Sequence, residues 1–131
     1  MLFEFNIEDD HQDFYDITSF VNQAVTDSKV ESGLAVVYTP HTTSSIAINE
    51  NYDPDVKIDL IYALDKVFAD DPHFQHMEGN SAAHLKAITV GHDANIIIEN
   101  GRALLGRWQG VFFVEFDPPR ARHFYVKIIS D

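Results

Sequence analysis

Two hydrophobic periods alternate along this chain, and the switches between them mark out its elements. Leu2, Phe3 and Phe5 open a short strand at a sheet edge, and the polar run Glu8–Asp13 turns the chain and leaves His11 in solvent. Ile17, Phe20, Val21, Ala24 and Val25 then recur at helical spacing, one apolar stripe of a helix that starts at about Asp16. Asp16 or Thr18 suits its N-cap, Lys29 its last turn, and Gly33 lies just beyond. Leu34–Tyr38 reads as a buried strand ended by Pro40, and Ile46–Asn51 resumes a strand pattern. Asp53 and Pro54 fit the N-cap and first position of a second helix. Its apolar face is Val56, Leu60, Ile61, Leu64, Val67 and Phe68, and it runs to about Ala69. Asp55 and Asp59 share another face, turned to solvent or to a partner's arginine.

Asp70–His73 breaks that helix, and a short third helix follows with Ser81 as its N-cap. Ala94–Glu99 is a strand, Asn100-Gly101 is the strongest hairpin signal in the chain, and Val111–Phe116 is a strand again. Asp117–Arg120 forms a rigid turn before an alternating last strand, Arg122–Ile129. Strands dominate, three helices interrupt them, and short turns join the late strands, so the class is α+β. The architecture this predicts is a two-layer antiparallel β-sandwich with about three helices at one side, formed by residues 1–131 as a single domain.

Composition narrows the function more than the fold. The chain has 131 residues, no cysteine and a formal charge of −12. Without cysteine there are no disulfides and no thiolate metal sites, so any metal must use histidine, carboxylate, amide or water. The acidic balance argues against nucleic-acid and anionic-membrane partners. No apolar run reaches membrane-span length and the N-terminus lacks signal-peptide features, so a cytoplasmic protein is expected.

Two polar segments carry candidate chemistry. His41-Thr42-Thr43-Ser44-Ser45 sits between two apolar strands, where its hydroxyls either hold a phosphate or water or satisfy their own turn. His76–Lys86 gathers two histidines, a carboxylate, an amide, a hydroxyl and a lysine around a Gly79-Asn80 turn that leads into a helix start.

His41-Thr42-Thr43, Asn49-Glu50-Asn51, Asp53-Pro54-Asp55, Glu78-Gly79-Asn80, Ala83-His84-Leu85-Lys86, Leu105-Gly106, Trp108-Gln109, Glu115 and Pro119-Arg120 together resemble the YjbQ-like family. That family is often labelled secondary thiamine-phosphate synthase. The resemblance implies a small α+β sandwich, a homotrimer, and a pocket with a metal site at His41, His76 and His84. Three imidazoles with water in a fourth position suit a divalent metal, above all zinc. The implied reaction joins a pyrimidine diphosphate to a thiazole phosphate and releases pyrophosphate. A non-catalytic module binding a metal or small ligand at the trimer interface is the alternative. Glu78 is expected as a base or a histidine-orienting group, with Asn80 beside it, and Lys86 and Arg120 as phosphate-neutralising cations. Thr42, Thr43, Asn49, Ser81 and Gln109 are expected as polar contacts to substrate, and Trp108 as a wall for a heteroaromatic ring or plain core. His92 is left open, and His11, His73 and His123 are expected as bystanders. One departure is Pro118, where the family usually has glycine.

Overall fold

The computed structural model describes residues 1–131. The element order is β1 (Leu2–Asp9), β2 (Asp13–Asp16), α1 (Thr18–Ser28), β3 (Gly33–Tyr38), β4 (Ser44–Glu50), α2 (Pro54–Val67), α3 (Ser81–Val90), β5 (Asp93–Glu99), β6 (Arg102–Ala103), β7 (Gln109–Glu115) and β8 (Arg120–Ser130). The strands form two antiparallel sheets, one ordered β1-β8-β3-β5-β6 and the other β2-β7-β4.

The main core lies between the sheets, where α1 contributes Val21, Ala24 and Val25 against Ala35, Val37, Phe113, Phe124 and Val126. A second core covers the other face of the small sheet, where Phe14, Phe112, Val114 and Phe116 meet Ala83 and Ala87 of α3 and Leu60, Ile61 and Leu64 of α2. The two cores explain the unbroken apolar run Val111–Val114. A strand covered on both faces loses its alternation, and Phe112 and Phe113 point to different cores.

Two other elements fit their sequence signals. Asp53 caps α2 by accepting from Asp55 N–H, and Pro54 is its first residue. Asn100 and Gly101 both have positive φ, the geometry that an Asn-Gly hairpin turn requires.

Three expectations need correction. β3 is buried on one face only, with Leu34 and Tyr38 on the outer face of the large sheet. The N-cap of α3 is Asn80, and Ser81 is the first helical residue. The strand β2 was missed, because it falls where acidic residues and His11 give the pattern of a loop. No helix is long and apolar enough to cross a membrane.

Candidate functional site

Backbone pairing at one end of the small sheet creates a cavity. Thr39 N–H donates to His92 O at 3.0 Å, and Ile46 N–H donates to Gly91 O at 3.2 Å. These bonds hold the β3–β4 connection against the end of α3. Between them lies a cavity of about 780 Å³. His41, His84 and His92 line it, together with the hydroxyl residues Thr39, Thr42, Ser44 and Ser81 and an apolar wall from Tyr38, Phe74, Leu85 and Ile88. No carboxylate, lysine or arginine is in the lining, in a chain with 21 acidic and 9 basic residues.

The expected histidine triad divides into pairs. The rings of His76 and His84 are 5.5 Å apart, edge to face. His41 instead packs 4.8 Å from His123, and its Nε2 accepts from the His123 backbone N–H at 3.1 Å. Burial and the positive charge of Arg122 lower the His41 pKa, and His123 adds to this. No group of three His, Asp or Glu side chains converges within one chain in a way that would hold a metal. A three-histidine zinc site therefore does not fit the single chain, because the Nε2 lone pair of His41 is already committed. His123, expected as a bystander, is what commits it.

A polar rim lies beside the N-terminus of α3. Asp117 Oδ2 accepts from Asn80 Nδ2 at 2.9 Å and from Arg120 Nη2 at 2.6 Å. Burial raises the Asp117 carboxyl, but the bonds from Asn80 and Arg120 outweigh it and hold the pKa below the ordinary value. Asn80 also reaches Glu78 at 3.4 Å, and its own Oδ1 is buried without a donor. Glu78 and Arg120 thus meet through Asn80 and Asp117, away from His41. The Pro118-Pro119 bond is cis, and Arg120 folds back onto the turn, donating from Nε to Asp117 O at 3.1 Å.

Behind the cavity is a buried charged base. Arg122 donates from Nε and Nη2 to the two oxygens of Glu115 at 2.7 Å each, and Nη2 also reaches Thr43 Oγ1 at 2.7 Å. Glu115 Oε2 further accepts from Asp117 N–H at 2.9 Å. Asp9 Oδ1 accepts from Arg120 N–H, while Asp9 Oδ2 is buried without a partner. Burial, and then the neighbouring Glu115, raise the Asp9 pKa to about 7.

Four expected site residues lie elsewhere. Lys86 is buried on the opposite side of α3, bonded to Asp65 of α2 and at 3.1 Å to Gln12 Oε1, so it ties elements together. Asn49 is at the far end of β4, at least roughly 15 Å along the strand from Ser44. There its Oδ1 accepts from the Glu50 N–H. Trp108 packs 4.7 Å from Tyr52 at the same far end, and Gln109 Oε1 accepts from Gly106 N–H. Thr43 belongs to the buried base, whereas Thr42 and Ser81 do line the cavity.

The UPF0047 protein YjbQ-like family model matches residues 3–131. The chain belongs to this family. A family member from Methanocaldococcus jannaschii is 51% identical over 132 residues, covering 100% of this chain and 96% of that protein. The Bacillus subtilis member YugU is 48% identical, covering 88% of each chain. A crystal structure of an uncharacterised conserved protein of the family from Clostridium acetobutylicum aligns with a TM-score of 0.94 at 52% identity, covering 97% of this chain and 99% of that one. A family structure of unknown function from Sulfolobus solfataricus aligns at 0.95 with only 27% identity, covering 100% of this chain and 97% of that one. The family fold is the α+β arrangement described above.

Sequence reasoning left His92 open and missed Asp117, Asp9 and Arg122. Two signals pointed to the base. Glu115 is a carboxylate inside the apolar run of β7, which requires a partner, and the alternation of β8 puts Arg122 on the same face as Phe124 and Val126.

Proposed function

We propose that this protein is a small enzyme acting by imidazole acid–base chemistry on a small molecule with a phosphoryl or carbonyl oxygen. One observation carries the reading: His41, His84 and His92 line a single cavity that contains no carboxylate. Its volume is in the range of small-molecule sites, and its apolar wall suits a ring or short chain. A lowered pKa keeps His41 neutral near neutral pH, and because its Nε2 is held by the His123 N–H, proton transfer falls to His84 and His92. Ser81 and the first N–H groups of α3 add donors for an oxygen that gains negative charge.

Thiamine-phosphate synthase activity is a finer version of this reading. A diphosphate leaving group calls for cations, and the two expected ones, Lys86 and Arg120, are held by Asp65 and Asp117. In the bound state the diphosphate would rest on imidazoles, hydroxyls and helix N–H groups alone. A divalent metal has its best ground at the His76–His84 pair.

The test measures pyrophosphate release from a pyrimidine diphosphate and a thiazole phosphate, and hydrolysis of simple phosphate and carboxylate esters. Wild type and His84→Ala are compared. Turnover that His84→Ala lowers supports the reading. Equal rates in both proteins, or binding without turnover, favour a non-catalytic module. An exposed apolar face supports that second reading: Leu34, Tyr38, Ile97 and Ile129 lie on the outside of the large sheet, and Tyr38 also lines the cavity. We propose this face as the interface of a homotrimer.

A further inference from the structure

The resemblance makes His41 a zinc ligand, and the hydrogen bonds around it do not. The group that meets its Nε2 is a backbone N–H, which can only donate, so Nε2 must be the unprotonated acceptor. In a neutral imidazole the proton then sits on Nδ1, and an N–H nitrogen has no lone pair for a metal. Ligation through Nε2 would break the bond to His123. Ligation through Nδ1 would require moving the proton to a nitrogen that faces another N–H.

The surroundings fix this arrangement. Residues 122 and 123 of β8 hold two points of the same loop, Arg122 through Thr43 Oγ1 and His123 through His41 Nε2. The His41 N–H is held as well, donating to Thr39 Oγ1 at 3.3 Å. Burial and then the charges of Arg122 and His123 on β8 also disfavour a second proton on the imidazole, while Glu115 of β7 acts the other way. The Nδ1 atom makes no hydrogen bond within the chain.

We propose that His41 is not a metal ligand but a neutral, Nδ1-protonated imidazole that donates a hydrogen bond to the acceptor oxygen of a ligand in the cavity. This rests on the reading of that cavity as a small-molecule site. It removes His41 from the expected triad and leaves His76 and His84 as the metal-binding pair. A chemical class follows: the ligand offers a lone pair at that point, as a carbonyl or phosphoryl oxygen does, and not a hydroxyl or amine proton.

Long-range ¹H–¹⁵N NMR of the histidine rings in the intact protein reads this directly. At pH 7.5 His41 is expected as the Nδ1–H tautomer. Added Zn²⁺ is expected to shift His76 and His84 and leave His41 in place, with His41→Ala keeping its zinc affinity and His84→Ala losing about tenfold or more. An Nε2–H tautomer at His41, or zinc that shifts its ring and is lost in His41→Ala, overturns the proposal. Inorganic phosphate and N-methylacetamide, one acceptor anionic and one neutral, test the donor role. At least one is expected to move the His41 Nδ1–H signal together with the Ser81 amide. If they move Ser81 and His84 but leave His41 unchanged, the donor role fails and the cavity reading stands. If neither perturbs any cavity residue, the cavity reading falls and the donor role goes with it.

Discussion

Asp9 Oδ2 is buried beside Glu115 with no donor in reach, so a proton on Asp9 is the simplest way to satisfy both carboxyls. With Asp9 near 7 in the folded protein and about 3.9 when unfolded, the folded state binds the extra proton between those values. Its stabilising contribution is full below about pH 4 and is lost as pH rises to about 7, with a slope of up to about 1.4 kcal/mol per unit. Asp65, Asp117 and Glu115 have lowered values, so their contribution is present above the unfolded value and is lost only in acid. Urea unfolding from pH 4.5 to 7.5 should therefore show a smaller decline with pH in Asp9→Asn than in wild type. An identical slope in both would put the proton elsewhere. None of this was legible at Asp9 itself, which reads as part of an acidic turn. Only the register that sets Asp9 opposite Arg120, and β7 beneath them, buries it. His41 was legible as a site residue, but its partner was a backbone N–H, and no side-chain pattern announces one.

Elements were easiest to read where local chemistry decides them, as in the Asp53-Pro54 start of α2 and the Asn100-Gly101 turn. They were hardest where packing decides. Lys86 looked like a site cation by its place near His84, yet the helical turn points it the other way, toward Asp65 and Gln12. Lys86→Ala should leave ligand and metal binding unchanged and lower stability by about 1–3 kcal/mol, through lost packing and the loss of its bonds to Asp65 and to Gln12 Oε1. Thermal melts beside a binding titration check both halves, and loss of binding without loss of stability would return Lys86 to the site. Gly33 marks another tight place. A Cβ there would lie 1.9 Å from Ile129 O, where β3 pairs with β8. Backbone on the partner strand cannot give way as a side chain does, so Gly33→Ala should destabilise by roughly 1–3 kcal/mol. A melting temperature equal to wild type would show that the strands part there at no cost.

For the whole molecule, the outer face of the large sheet is the feature that most needs a partner. Light scattering is expected to give a mass three times the 14.9 kDa of one chain, and Ile97→Arg with Ile129→Arg is expected to return it to one. A single-chain mass for wild type in dilute buffer would end the trimer proposal. The sequence placed Asn49, Trp108 and Gln109 with the site because they belong to the same family pattern, and a pattern carries no distance. The length of β4 separates them. The carboxylate-free lining has a kinetic consequence. A body with a charge of −12 repels anions long before they reach a cavity that would accept them. A phosphorylated ligand should therefore associate slowly at low ionic strength and faster as added salt shortens the reach of the repulsion, while an uncharged carbonyl compound should arrive at the same rate in either buffer. Stopped-flow association at two salt concentrations would then reveal the charge of the natural ligand before its identity is known.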